Sequence, residues 1–187
     1  KKKKTRNRPW STINEVVQDC SKLFAQANMV MKWTTPMGFP VEMDYRYLIP
    51  FKVKTAISGS LVYTTYRREL NRKDSRKYSS SCSPNIVHSL DGAICQGVAL
   101  YCKNADNPIN DLLMVHDSFA TNPNRVDQLH QIIRQVVIDL FKTDYLEILY
   151  NDWSSQLPEK LRTRLTRPPQ QGNLDINEIA KSKYFFS

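Results

Sequence analysis

Leu112-Leu113-Met114-Val115-His116-Asp117-Ser118-Phe119-Ala120-Thr121 is the stretch on which the reading of this chain turns. Its opening apolar run has the length and composition of a buried strand, and Ser118 to Thr121 resumes extended character. The two halves predict a β-hairpin with His116 and Asp117 at or near its bend. An aspartate placed directly after buried apolar residues sits at a strand end, where its carboxylate can reach a divalent metal. A His-Asp dipeptide in that position is also an ordinary turn feature, so the motif alone is weak.

Downstream, Asn122 to Asn124 can cap a long helix in which Val126, Leu129, Ile132, Ile133, Val136, Val137, Leu140 and Phe141 keep the helical period. A shorter helix is expected over Tyr145 to Leu157. Pro158, Pro168 and Pro169 interrupt the chain beyond it, and Asp175 to Ala180 can make a further turn before Tyr184-Phe185-Phe186-Ser187. Upstream, a helix is expected from about Asn85 to Lys103, opened by Pro84. Arg67 to Ser83 is polar, basic and serine-rich and reads as a mobile surface loop. Tyr45 to Tyr66 alternates aromatic, β-branched and polar residues and reads as extended. Two short strands should flank the turn marked by Pro36, Gly38 and Pro40. Thr12 and Glu15 have capping-box spacing at the head of a helix with Ile13, Val16, Val17, Cys20, Leu23, Phe24 and Ala27 on one stripe. Residues 1–9 form a basic lead-in or linker. The mixture is α+β, and 187 residues suffice for one domain with a real core.

Twenty-seven Lys and Arg against eighteen Asp and Glu leave a formal charge of +9, which favours a polyanionic partner through counterion release. Nucleic acid is the first expectation and an anionic membrane surface the second. The charge concentrates at Lys1 to Arg8, Arg67 to Lys77 and Lys160 to Arg167. No apolar stretch approaches the roughly eighteen residues of a spanning helix, and no membrane is expected as a partner. Cys20, Cys82, Cys95 and Cys102 form no C-x-x-C pair and read as reduced thiols rather than zinc ligands, which suits an intracellular compartment. Lys1 reads as a domain edge, with any targeting segment lying upstream.

Val115-His116-Asp117-Ser118-Phe119 resembles the third conserved palm motif of the phage and mitochondrial single-subunit DNA-dependent RNA polymerases. Trp33-Thr34-Thr35-Pro36-Met37-Gly38-Phe39-Pro40 is similar to that family's W-x-T-P-x-G-[FL]-P element. Pro84-Asn85-Ile86-Val87-His88-Ser89-Leu90-Asp91 is similar to its P-N-[FI]-[VI]-H-S-x-D helix start. Gln171-Gly172-Asn173-Leu174-Asp175, ending in Lys183-Tyr184-Phe185-Phe186-Ser187, resembles its G-[ND]-[LF]-[DN] tail and hydrophobic C-terminal foot, here about 170–187. These matches keep the family's order from Trp33 to Ser187.

The resemblance implies a right-hand polymerase architecture in which residues 10–187 form a C-terminal fingers and palm segment, a palm hairpin packed with several helices. It implies Asp117 as a catalytic ligand in a two-metal Mg2+ site, His116 supporting the hairpin and the nearby 3′ end, and His88 facing the minor groove of the new base pair. Phe185, Phe186 and the Ser187 carboxylate would fold back toward the site. Arg67, Arg68, Arg72 and Lys73 would contact phosphates and make binding salt-dependent, with no code for bases. Substrates and partners would be a DNA template, the RNA product and ribonucleoside triphosphates. The setting would be an infected bacterial cytoplasm or a mitochondrial matrix.

The family's first palm aspartate, in a D-x-x-x-x-G context, has no counterpart here, and Asp44 does not occupy that motif. The fingers helix whose Lys and Tyr bind the incoming nucleotide is also absent. The chain is therefore expected to need an upstream segment of the same polypeptide or a second subunit for activity. A family A DNA polymerase shares the His-Asp hairpin but usually follows it with Glu, where this chain has Ser118. The sequence also admits a non-catalytic nucleic-acid-binding module, in which the basic charge does the work, and a pure scaffold for another polymerase chain. The polymerase reading fails if the Asp117 side chain points into solvent, far from the aromatic terminus and the His88 helix.

Overall fold

The computed structural model describes residues 9–185, so the basic stretch Lys1 to Arg8 and the foot residues Phe186 and Ser187 lie outside the described residues. The first helix, α1, runs over Pro9–Gln26. It begins before Thr12, so the expected capping box sits inside the helix rather than at its start. Its apolar stripe is buried through Val17, Cys20, Leu23 and Phe24.

Strands β1 (Met31–Thr34) and β2 (Pro40–Met43) pair antiparallel, with Trp33 opposite Val41 and Met31 opposite Met43. Alternation puts Met31, Trp33 and Met43 inward, where each is at most 2% exposed. The connecting turn is closed by its own residues. Thr35 donates its amide to the Phe39 carbonyl at 2.8 Å, and its hydroxyl accepts from the Phe39 amide at 3.0 Å. Gly38 holds φ at +83°, a conformation that costs glycine nothing.

Strands β3 (Arg46–Ile57) and β4 (Ser60–Lys73) form a long two-stranded ribbon joined by Ser58 and Gly59, both at positive φ. Helix α2 follows at once over Ser75–Asn104. The expected mobile loop from Arg67 to Ser83 is thus corrected: its first part is strand and its remainder is helix. The helix starts ten residues before Asn85 and carries Pro84 inside it. Proline in a helix interior normally costs about 3 kcal/mol. Three features offset that cost. Asp74 caps the Arg76 and Lys77 amides at 3.0 and 3.2 Å. Tyr78 and Cys82 are fully buried against α1 and β1. The Tyr78 hydroxyl lies 3.0 Å from the Met29 carbonyl and 2.9 Å from that of Met43, and its single proton serves one of them at a time.

Strands β5 (Leu113–Val115) and β6 (Ser118–Ala120) make the expected hairpin, with Val115 opposite Ser118 and Met114 opposite Phe119. Asn122 precedes a 3-10 turn, Pro123–Arg125, but its side chain caps nothing. Helices α3 (Val126–Phe141), α4 (Tyr145–Gln156) and the single turn α5 (Glu159–Arg162) follow, then a second 3-10 turn, Ile176–Lys181, capped by Asp175.

Two apolar clusters organise these elements. The first joins α1, β1, β2, the front of α2 and α4 through Phe24, Trp33, Tyr78, Leu149 and Trp153. Here Trp33 and Trp153 meet edge to face at 6.5 Å, and α4 is tied to β1 by bonds from Tyr145 to the Thr34 carbonyl and from Trp153 to that of Lys32. The second joins the rear of α2, α3, the β5–β6 hairpin and Phe185. At its centre Gly97 lets the helices close up, since a Cβ there would stand 2.6 Å from Val136 Cγ1. Mixed helix and antiparallel hairpins make the fold α+β. Among the described residues no helix is long and apolar enough to cross a membrane.

Candidate functional site

The β5–β6 hairpin turns at His116 and Asp117, and His116 takes φ of +53°, a left-handed conformation uncommon outside glycine. That bend lies against α2. The Cys95 thiol donates to the His116 carbonyl at 2.9 Å, which ties the strained position to the helix. Burial pushes the Cys95 thiol pKa up, and the carboxylates of Asp91 and Asp117 push it further in the same direction, so both acids stand near the sulfur.

His88, Asp91 and Cys95 fall at i, i+3 and i+7 and share one face of α2. A rise of 1.5 Å per residue puts His88 about 10 Å along the axis from the bend. His88 is exposed and lines an open groove of about 420 Å³ with Thr35, Phe39, Glu42, Asn85 and Gln96. The groove is therefore built by both the Trp33 to Pro40 element and the Pro84 to Asp91 element. A further bond fastens them, from the Trp33 indole to the Ser89 hydroxyl at 3.2 Å. Ser89 in turn donates to the Asn85 carbonyl at 2.6 Å.

The alternation of the hairpin separates two faces. Phe119 points inward and packs on the second apolar cluster. Leu113 and Val115 point outward and are 66% and 58% exposed. The expectation of a buried strand is corrected by this: a two-stranded ribbon covered on one side can bury only alternate residues. Asp117 is exposed at the tip, and among the described residues no hydrogen bond or ion pair engages its carboxylate. Phe185 packs against the same cluster as Phe119 and Ile94.

The basic residues Arg67, Arg68, Arg72 and Lys73 are distributed over different surroundings. Arg67 and Arg68 fall on opposite faces of the β3–β4 ribbon, opposite Pro50 and Ile49 respectively. Arg67 and Arg72 gather with Arg76 and Lys77 around an open cleft of about 760 Å³ at the ribbon's base. Lys73 is 8% exposed, and its ammonium is bonded to Asp44. Asp44 also accepts from Arg46 at 3.2 Å, and the Lys73 bond, ahead of Arg46, holds its carboxyl below the usual carboxylate range. That carboxylate is committed to cations of its own chain.

Three residues to which the sequence patterns assign no role stand out. Cys95 and Asp91 were legible from their spacing to His88. Arg134 is 6% exposed, and its only sequence signal is a cation between the apolar pairs Ile132-Ile133 and Val136-Val137 of α3.

Comparison with known proteins decides the family. The family model for DNA-dependent RNA polymerase matches residues 8–167. The chain belongs to the single-subunit RNA polymerases. Members of this family are nucleotidyltransferases. Mitochondrial DNA-directed RNA polymerase 1 of Nicotiana sylvestris is 34% identical over 169 residues, covering 90% of this chain and 16% of that enzyme. Chloroplastic DNA-directed RNA polymerase 3 of the same plant is 35% identical over 172 residues, with the same two shares. DNA-directed RNA polymerase 2A of Nicotiana tabacum is 32% identical over 169 residues, 90% of this chain and 48% of that protein. This RNA polymerase chain thus spans about a sixth of the length of the first two relatives. The first two are organellar by name, and an infected bacterial cytoplasm draws no support from them.

Among the described residues no group of three or more His, Cys, Asp or Glu is placed to hold a metal ion. A divalent cation needs several oxygen ligands. An exposed, unpaired Asp117 fits the role of one such ligand and not of a whole site.

Proposed function

We propose that this segment supplies the second half of the palm and part of the fingers of a single-subunit RNA polymerase, and that Asp117 is its contribution to the metal centre. The observation that carries the reading is the convergence along the middle of α2. The hairpin bend is bonded to Cys95, His88 lies two turns along the same helix face, and the Trp33 element walls the groove in front of it. Three sequence elements far apart in the chain meet along one face of α2.

Asp117 would hold Mg2+ together with carboxylates from an upstream segment or a second subunit. Bound there, the metals would supply the chemistry that lowers the pKa of an attacking 3′ hydroxyl and neutralises charge on a leaving pyrophosphate. The chain's own residues orient and exclude. His116 shapes the bend, and His88 presents a ring nitrogen to acceptors that every base pair offers in its minor groove, checking geometry without reading sequence. Arg67 and Arg72, with Arg76 and Lys77 beside them, contact phosphates of the DNA template or RNA product, and Arg68 does so from the other face of the ribbon. Lys73 leaves this set, because its charge is neutralised by Asp44. Ribonucleoside triphosphates are the substrates. The relatives' names favour a mitochondrial or chloroplast setting.

The test replaces Asp117 by Ala in the complete polymerase. Template-directed RNA synthesis should disappear while DNA binding survives. Retained synthesis would leave a nucleic-acid-binding module or scaffold, and preferential incorporation of deoxyribonucleotides by the unaltered enzyme would make it a DNA polymerase instead.

A further inference from the structure

The C-terminal tail has little apolar surface with which to hold itself in place. Between residues 171 and 185 only Ile176, Ile179 and Phe185 are even half-buried. What grips it is Arg134 of α3. Its Nε donates to the Ile179 carbonyl at 3.2 Å and its Nη2 to the Ser182 carbonyl at 2.7 Å, while the guanidinium lies 5.8 Å from the centre of the Phe185 ring. A buried cation that served only the core would be expected to face a carboxylate. Among the described residues no carboxylate pairs with Arg134. Beyond its contact with His130 on its own helix, the bonds described for it go to the tail. The planar fork suits this role, since two donors on one rigid group reach two carbonyls of a turn at once.

The consequence reaches the hairpin. Phe185, held under Arg134, packs on the same apolar cluster as Phe119, which lies two residues beyond Asp117, and Ile94, which precedes Cys95. We infer that Arg134 is a positioning residue for nucleotidyl transfer, a latch that seats the C-terminal tail so that Phe185 completes the support beneath the Asp117 bend. This rests on the proposed role of Asp117 as a metal ligand.

The experiment uses the complete polymerase on a preformed template and primer. Arg134→Gln should lower kcat for nucleotide addition about tenfold or more, the scale on which small misplacements act, with KM for nucleotide changed less than about twofold. Arg134→Lys should recover part of the loss. Ending the chain after residue 174 should lower kcat by a similar factor, and Arg134→Gln should add nothing in that shortened background. Amides of residues 176–182 should exchange hydrogen faster in Arg134→Gln. Phe185→Ala, which leaves α3 untouched, should reproduce the kcat loss if Arg134→Gln fails to fold. Unchanged kcat in Phe185→Ala or in a folded Arg134→Gln would overturn the inference. So would losses from Arg134→Gln and the shortened chain that multiply. Asp117→Ala is measured alongside: full synthesis there sinks the underlying reading, whereas a dead Asp117→Ala beside a normal Arg134→Gln sinks only the latch.

Discussion

The β1–β2 and β5–β6 hairpins are built alike and finished differently. Each is short, antiparallel and two-stranded, and each carries one of the sequence elements on which the family resemblance rests. In β1–β2 the turn is closed by Thr35 and Phe39, the inward residues are buried, and Tyr145, Trp153 and Gln156 bond to the carbonyls of Lys32 and Thr34. In β5–β6 one face is packed, the other shows Leu113 and Val115 to solvent, and the carboxylate at the tip makes no bond among the described residues. The first hairpin spends its residues on the fold. The second leaves a carboxylate and an apolar face uncommitted within the described residues.

The largest effect expected from this contrast lies at Asp117. Replacing it by Ala should reduce synthesis by the complete polymerase by about three orders of magnitude or more, the scale of several kcal/mol of lost transition-state charge stabilisation. The same change should leave the melting temperature of the chain nearly unmoved, because an exposed, unpaired side chain contributes little to folding. A large loss of thermal stability would show that the carboxylate serves the fold after all. Trp33 should behave in the opposite sense. Trp33→Ala removes a 2% exposed ring, its edge contact with Trp153 and its bond to Ser89, and should cost about 3–5 kcal/mol in denaturant unfolding. A cost below about 1 kcal/mol would mean that the first hairpin is as loosely held as the second.

Just past β2, Asp44 extends the comparison to charge. Its folded pKa is depressed, chiefly by the bond from Lys73, so the stability it contributes is present above the unfolded carboxylate value near 3.9. That contribution is lost as the pH falls through the lower folded value. Asp44→Asn should cost about 2 kcal/mol at neutral pH, less than a fully buried pair because Asp44 is partly exposed. It should also flatten the acid limb of the stability curve. An unchanged acid limb would remove Asp44 from the account.

How much of this could be read in the sequence depends on where the determining contacts lie. The turn at Gly38, the bend at His116 and Asp117, and the period of α3 are written in adjacent residues, and all were expected. The front of α2 was not, because Pro84 is a strong local stop signal, while the Asp74 cap and the burial of Tyr78 and Cys82 against distant elements outweigh it. Arg67 to Lys77 read as one basic surface because composition counts charge without direction. The strand period sends Arg67 and Arg68 apart, and an acid from the end of β2 neutralises Lys73. The partners of Arg134 were hidden for the same reason: they are backbone carbonyls some 45 to 48 positions along the chain, and carbonyls leave no mark in a sequence.

Leu113 carries the smallest expected effect. Its sequence context says buried, yet it is 66% exposed, as single apolar side chains on a folded surface often are. Leu113→Ser should therefore change the stability of this chain by less than about 0.5 kcal/mol, as surface substitutions do. In the complete polymerase, if the outer face of β5 is covered there, the same substitution should cost about 1–3 kcal/mol, the transfer value of a buried leucine side chain. Equal small costs in both settings would mean that the face stays open in the full enzyme, and the second hairpin would then be as finished as the first.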